Sequence, residues 1–332
     1  MLASLTLRCV VFSPPHFCAP MAGVTHSAFR RLLAEFGGYG GLCTEMLAGL
    51  ALLGENTRRS PYTRRRPEEG QVVYQLLLRN ADRIPEIVAR LAPCEPAGLD
   101  LNCACPAPDA RCQKAGGELF EDPPRLAAIL DALRAAWNGP LTVKIRLGKN
   151  TPGWEERLAD RLRLFEECGV DAVTVHPRFF DEKLKRPARH QLFAWIAGLT
   201  RLPVIANGDI LGPQTLDANP QPFAPVAALM VGRMAVARPW LFARWNHPGP
   251  TPDYGDAWFR LFEYVREDFP DEKALRRVRT FTAYYARNFA FGHRLASAVR
   301  SAPDLDSQRE RAARFFEADP PLVSAPDFSG VQ

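Results

Sequence analysis

From Phe17 to about Trp245, short apolar, β-branched runs alternate with stretches whose apolar residues recur at helical spacing. Eight runs read as strands, at 17–21, 41–45, 72–77, 98–102, 141–146, 172–176, 203–207 and 228–231. Between them, 25–36, 83–92, 123–137 and 154–168 read as helices. Thr25 suits an N-cap, and Pro123 and Pro124 suit a first helical turn. Alternation of this kind predicts parallel strands joined by right-handed crossovers. Eight such units predict an α/β fold of the closed (β/α)8 TIM-barrel type, with a doubly wound open sheet as the alternative. The Pro/Gly-rich stretch at 246–255 (NHPGPTPDYG) marks a boundary, and beyond it the pattern is helical only, at 256–269, 273–291, 293–301 and 307–316. The expected organisation is therefore a barrel over 1–245, a C-terminal helical domain over 246–318, and a polar, proline-rich, disordered tail over 319–332.

Composition narrows the class. A 332-residue chain accommodates a barrel plus an appendage, and no run of 18 apolar residues is present to span a membrane. The apolar N-terminus is short and places Arg8 late, which makes a poor signal peptide. Eight cysteines without framework spacing read as free thiols in a reducing cytoplasm, and the protein is separately expected to be monomeric. Charge is informative through its distribution. Residues 273–316 hold ten Lys or Arg against three acids, a local +7 within a chain total of +5, so the rest carries −2. Such a segment is either a polyanion-binding surface or an ordinary solvated helical face.

In a barrel of this type, chemistry collects at the C-terminal ends of the strands. Those ends carry Glu45, Gln75, Asn102, Cys105, Lys144, Arg146, His176, Arg178, the Asn207–Gly208–Asp209 turn and Gly232–Arg233. Any one of them has an ordinary structural explanation, but their convergence on one rim points to a shared ligand site. The last two turns, IANGDI and MVGR, place small residues where backbone N–H groups can close on a phosphate. Cys103, Cys105 and Cys112 form C-x-C-x6-C, which lacks the paired spacing of a zinc site, and no metal is expected. The remaining cysteines read as small buried hydrophobes.

Several of these segments resemble the tRNA-dihydrouridine synthase family: APMAGVT after the first strand, TEM at the second and LNCACP after the fourth. VKIRLG, TVHPR, PVIANGDI and VGRMAVARPWLF continue the resemblance in the same order, and RRVRTFTAYYARNF extends it into the terminal helices. DLNCACP, the loop ending in RPARH and the SAPDLDS stretch are most similar to the bacterial group acting at U16 of the D-loop. The resemblance implies an FMN-dependent enzyme, recharged by NADPH, that reduces uridine in tRNA to 5,6-dihydrouridine. It implies Cys105 as the catalytic cysteine, giving a proton to C5 while reduced flavin gives hydride to C6. Thiols are mostly protonated at neutral pH, which suits that role. By the same resemblance Pro20, Met21, Gln75, Lys144, His176, Asn207, Gly208, Asp209, Gly232 and Arg233 contact the flavin, with the Lys144 cation stabilising the reduced ring. Asn102 holds the uracil edge and Arg178 lies near the substrate entrance. From the charge of the basic segment, Arg276, Arg277 and Arg279 are expected to contact tRNA.

The chain departs from the family pattern at Ala104, Glu118, Pro177 and Met234, where smaller residues are usual. None of these removes a reacting group. Two other readings remain: a flavin barrel acting on a small molecule, as dihydroorotate dehydrogenases do, and a non-catalytic RNA-binding relic. The first has no need of a basic appendage, and the intact Cys105, Lys144 and His176 argue against the second.

Overall fold

The computed structural model describes residues 3–182, 184–245, 247, 249, 250 and 252–330, without the side chain of Asp109. Eight parallel barrel strands are present: β1 (His16–Cys18), β2 (Gly41–Cys43), β3 (Val72–Leu77), β4 (Gly98–Cys103), β5 (Leu141–Ile145), β6 (Ala172–Val175), β7 (Val204–Asn207) and β8 (Ala228–Val231). Each pairs with its sequence neighbours, and β8 returns to β1 through Leu229↔His16, Met230↔Phe17 and Val231↔Cys18. The sheet is closed, so the open doubly wound alternative is excluded. Both faces of every strand are covered, inside by barrel layers and outside by helices, so these runs are buried at every position and mostly apolar.

An antiparallel hairpin, Leu5–Leu7 with Val10–Phe12, precedes the barrel. Leu7 and Phe12 pack with Phe17, Val73, Ile205 and Met230 and seal the N-terminal end of the barrel. The apolar character of the first residues is therefore that of a plug. The first helix runs Ser27–Phe36 and is capped by His26 rather than Thr25. The Thr25 hydroxyl instead accepts from the Met21 N–H at 3.0 Å and tightens the turn after β1.

Beyond the boundary lie four helices, Tyr254–Asp268, Asp271–Tyr285, Gly292–Ser301 and Leu305–Glu317. The helix expected over 273–291 stops at Tyr285. There the Asn288 amide donates to the carbonyls of Tyr285 and Ala237, at 2.9 and 2.7 Å, and so ends the helix and ties it to the barrel. The segment 319–330, expected to be disordered, lies against the protein instead. Phe289 and Leu322 form a bridge, Val323 donates to the Asn288 carbonyl at 2.8 Å, and Phe328 is buried over the Arg233 guanidinium. Polar composition pointed to disorder, but one buried aromatic residue and backbone pairing anchor this stretch.

The helical segment docks on the first barrel helix through charge. Arg31 pairs with Glu267 and lies over the Tyr264 ring, while Arg260 and Tyr264 both reach Glu35. Arg64 and Arg66 converge on Asp268. Behind them Arg30, fully buried, donates to Glu69 at 2.7 Å and to the carbonyls of Thr25 and Arg64 at 2.8 and 2.6 Å. Glu69 returns its other oxygen to the Arg66 N–H. Removing one partner of such a pair strands a buried charge. Glu69→Ala is expected to lower stability by about 3–5 kcal/mol, read as a fall in the urea midpoint at unchanged m-value; a change below about 1 kcal/mol would show that the Arg30 pair is dispensable.

Candidate active site

The C-terminal ends of β5 to β8 and the turn after β1 enclose a cleft. Pro20 and Met21 form one side of it, and Asn207, Gly208 and Asp209 the other. Lys144 and His176 form its inner wall, and Gly232 and Arg233 lie at its outer end. Nine of the ten residues expected to contact a cofactor are thus brought together. Gln75 is the exception; it is fully buried behind the cleft.

Local chemistry explains the cleft's shape. Gly208 has φ +106°, and a Cβ there would come within 2.5 Å of the His176 ring, so the β7 turn can press on His176 only as glycine. The Asn207 amide donates to the Met230 carbonyl at 2.8 Å, locking β7 to β8 just below the turn. Asp209 does not present its carboxylate to a ligand. It accepts from Arg178 at 2.6 Å, Arg233 at 2.7 Å and the Ala188 N–H at 2.8 Å. A carboxylate used in this way orients two cations and leaves the anion-binding role to them. Burial would push its carboxyl up, but the Ala188 N–H and the two arginines hold it below its ordinary range.

The cations are crowded. Burial, reinforced by Arg146, lowers the Lys144 pKa to about 8, and no hydrogen bond or ion pair holds its ammonium among the described residues. Burial, then Arg178, brings Arg146 down to about 10. His176 is held well below its usual value by burial, then by Lys144, Arg146 and Arg178, so its ring is neutral. Its Nε2 lies 2.9 Å from Arg178 Nη1, and since a guanidinium can only donate, Nε2 is the acceptor and Nδ1 carries the proton. A rim with this charge excess and glycine backbone within reach fits an anionic, phosphorylated ligand.

Cys105 stands on the loop after β4, half-buried. Its N–H donates to Asn102 Oδ1 at 3.0 Å, and its carbonyl accepts from the Gly117 N–H at 3.0 Å. Gly116, at φ +60°, permits this approach, because a Cβ there would lie 2.9 Å from the Cys105 carbonyl. Cys103 points the other way and is fully buried among the helix-facing apolar residues. Ala104 donates its N–H to the same Asn102 oxygen at 3.1 Å, so a side chain at this position leaves the turn intact.

The arginines are distributed differently from expectation. Arg178 is 2% exposed and lies between His176 and Asp209, behind the cleft rather than at an open entrance. Arg277 turns inward to Glu45 at 3.5 Å and to the Tyr62 hydroxyl at 3.2 Å. Arg279 donates to the Ala302 carbonyl at 2.7 Å. Arg276 alone of the three is on the open surface, paired with Glu272 one turn away. Sequence reasoning missed Tyr284 and Leu184, which complete the cleft from the helical segment and from the loop after β6. Neither carries a periodicity signal. It also missed Asp100 and Thr142, polar side chains within apolar strands, and that contrast was a usable signal. Among the described residues no group of three His, Cys, Asp or Glu is arranged to hold a metal ion, and no helix is long and apolar enough to cross a membrane.

Known proteins share both the fold and the sequence. The family described as dihydrouridine synthase (Dus) matches residues 17–315. The tRNA-dihydrouridine synthase B of Shewanella oneidensis is 32% identical over 240 residues, covering 69% of this chain and 70% of that protein. That of Xanthomonas campestris is 28% identical over 329 residues, covering 94% and 97%. Among solved structures, the old yellow enzyme from Trypanosoma cruzi superposes with a TM-score of 0.52 at 11% identity, over 76% of this chain and 93% of that one, a likeness of fold. The family match begins at β1, spans every barrel strand and includes the helical segment that completes the cleft: the chain belongs to the dihydrouridine synthase family.

Proposed function

We propose that this enzyme reduces the C5–C6 bond of a tRNA uridine to give 5,6-dihydrouridine, with FMN as cofactor and NADPH as electron donor, and that its target is position 16 of the D-loop. The observation that carries this reading is a thiol on a pinned loop beside a cleft of buried cations with glycine turns. The cleft fits a flavin mononucleotide: the Asn207–Gly208 and Gly232–Arg233 turns would hold the phosphate and Lys144 and His176 the ring, with Pro20 and Met21 around it, while Gln75 acts through its bond to Asn102. When bound and reduced, that cofactor supplies the hydride for C6 of the uracil.

The chain's own residues supply the rest. Cys105 gives its Sγ proton to C5 as the C5–C6 double bond is lost, and the resulting thiolate is reprotonated from water. Asn102 has one amide N–H beyond the one it gives to Gln75, and this is available to the uracil edge. Lys144 and Arg146 keep the cleft positive. Arg178 acts through His176 and Asp209, setting the tautomer of the first and the position of the second. The position-16 assignment rests on the DLNCACP, RPARH and SAPDLDS segments. Exposed Arg276 is the member of the basic trio placed to meet RNA phosphates, while Arg277 and Arg279 hold the surface that presents it.

Three outcomes test this reading. In single-turnover oxidation of pre-reduced enzyme by unmodified tRNA, Cys105→Ala should lose about a hundredfold or more in rate while retaining flavin, as for a lost general acid. Cys103→Ala should be nearly neutral, and the product mapped by mass spectrometry should lie at position 16. A Cys105→Ala enzyme reacting at the wild-type rate would place the proton donor elsewhere.

Lys144 is charged below its pKa of about 8 and neutral above it. FMN affinity is therefore expected to be flat up to about that pH and to fall as pH rises through it, when the cation facing the anionic ligand is lost. Equilibrium titration of the flavin-free protein should show this fall, and Lys144→Met should bind more weakly with the fall removed. An identical pH profile in the variant would exclude Lys144 as its cause.

Arg276→Glu should weaken tRNA binding and lower the magnitude of the salt slope by about 1, without touching flavin reduction by NADPH. Arg277→Glu faces Glu45 and should lower thermal stability instead. Unchanged tRNA affinity in Arg276→Glu at moderate salt would make that surface an ordinary solvated face.

A further inference from the structure

Asp100 is buried at the centre of β4, and nothing in the chemistry above uses it. Its Oδ1 accepts from the Thr142 hydroxyl at 2.6 Å, and its Oδ2 accepts from Gln75 Nε2 at 2.7 Å. Gln75 Oε1 in turn accepts from Asn102 Nδ2 at 2.8 Å. Asn102 Oδ1 then accepts from the N–H groups of Ala104 and Cys105, at 3.1 and 3.0 Å. The chain of contacts runs unbroken from a carboxylate in the barrel interior to the backbone of the reactive thiol.

The two ends of this chain give it a direction. An amide side chain has nearly the same shape with its oxygen and nitrogen exchanged, so its partners decide which way it faces. A carboxylate only accepts, which turns the nitrogen of Gln75 toward Asp100 and its oxygen toward Asn102. A backbone N–H only donates, which turns the oxygen of Asn102 toward the loop and its nitrogen toward Gln75. Both ends enforce the same polarity. With the relay intact, Asn102 can grip two consecutive N–H groups; with Gln75 reversed, two amide nitrogens or two oxygens would face each other.

We propose that Asp100 is a positioning residue that, through Gln75 and Asn102, fixes the orientation of both amides and holds the Cys105 loop in one conformation. The inference rests on the reading of Cys105 as proton donor, yet the relay itself is a statement about loop order. A displaced donor loses rate steeply, on the order of a hundredfold for an ångström. Ordering the loop by a buried interior charge keeps the thiol placed before substrate arrives.

The loop's order is measured without turnover. In the full-length protein, the rate of Cys105 alkylation by iodoacetamide is followed by peptide mass spectrometry, with exposed Cys9 and Cys112 as reactivity references and buried Cys18, Cys43 and Cys103 as reporters of unfolding. Asp100→Leu should raise Cys105 labelling about tenfold relative to the references and lower single-turnover reduction of tRNA by about tenfold to a hundredfold. Asp100→Asn keeps the shape and the hydrogen bonds but can face Gln75 with either its oxygen or its nitrogen, so both readouts should fall between those of the wild type and Asp100→Leu. Wild-type labelling in Asp100→Leu, with the buried thiols protected, overturns the relay. If the buried thiols open, Asn102→Asp carries the test: it keeps the shape of Asn102, sets oxygen against Gln75 Oε1, and should give the same rise. A Cys105→Ala enzyme with full activity would reject Cys105 as donor while leaving the labelling result, and hence the relay, standing.

Discussion

Like-charge crowding at one rim of the barrel is the constraint around which this site is organised. Lys144 and Arg146 lie at the end of β5, Arg178 on the loop after β6 and Arg233 on the turn after β8, and Asp209 neutralises the last two. Burial strengthens every interaction between them, since the water that would screen the charges is absent. Burial first, and the neighbouring cations second, hold Lys144 and Arg146 below their ordinary range and keep His176 neutral. An arrangement of this kind is poorly suited to standing alone and well suited to receiving an anion. Apolar burial elsewhere, as in the plugged barrel floor, offsets what the rim costs.

The helical segment is part of the same construction. Tyr284 closes the cleft, Phe328 covers Arg233, and Arg277 reaches Glu45 at the end of the second βα unit. Glu45 also accepts from the Gly23 N–H at 2.7 Å, in the turn that places Met21. A line of contacts therefore connects the C-terminal helices to the turn lining the cleft. Charge reversal in this segment has two separate consequences, according to whether the side chain faces solvent, as Arg276 does, or the barrel, as Arg277 does.

Much of this was legible in the chain before folding. Strand periodicity located all eight barrel strands to within two or three residues at their ends, because a strand buried on both faces admits little but apolar, β-branched residues. The rim residues were legible because polar side chains at strand ends break that pattern. Orientation was not legible. Nothing in the spacing of Arg276, Arg277 and Arg279 says that only the first reaches solvent, since helix phase at 100° per residue is decided by what the neighbouring element buries. Arg178 was expected at the entrance, and its burial follows from Asp209, which lies one strand away in space and 31 residues away in sequence. The tail was misjudged because composition reports average polarity, while one buried aromatic residue, Phe328, and a few backbone pairings, including that of Leu322, suffice to anchor a short segment.

Asp100 illustrates a further gap between pattern and chemistry. In the sequence it is one acid in an otherwise apolar strand, and burial raises its carboxyl pKa, the sign of a costly placement. Two donors offset that cost, Thr142 and Gln75, and Lys144 adds an opposite charge nearby. An apolar residue would fill the same space without the desolvation penalty. What an apolar residue lacks is the capacity to tell an amide which way to face. Directional information of this sort passes only through hydrogen bonds whose ends have fixed roles, and a carboxylate and a backbone N–H are the two groups in the protein whose roles at neutral pH are least ambiguous. The buried charge is best understood by what it specifies, a single arrangement of two amides and one loop, rather than by what it adds to stability.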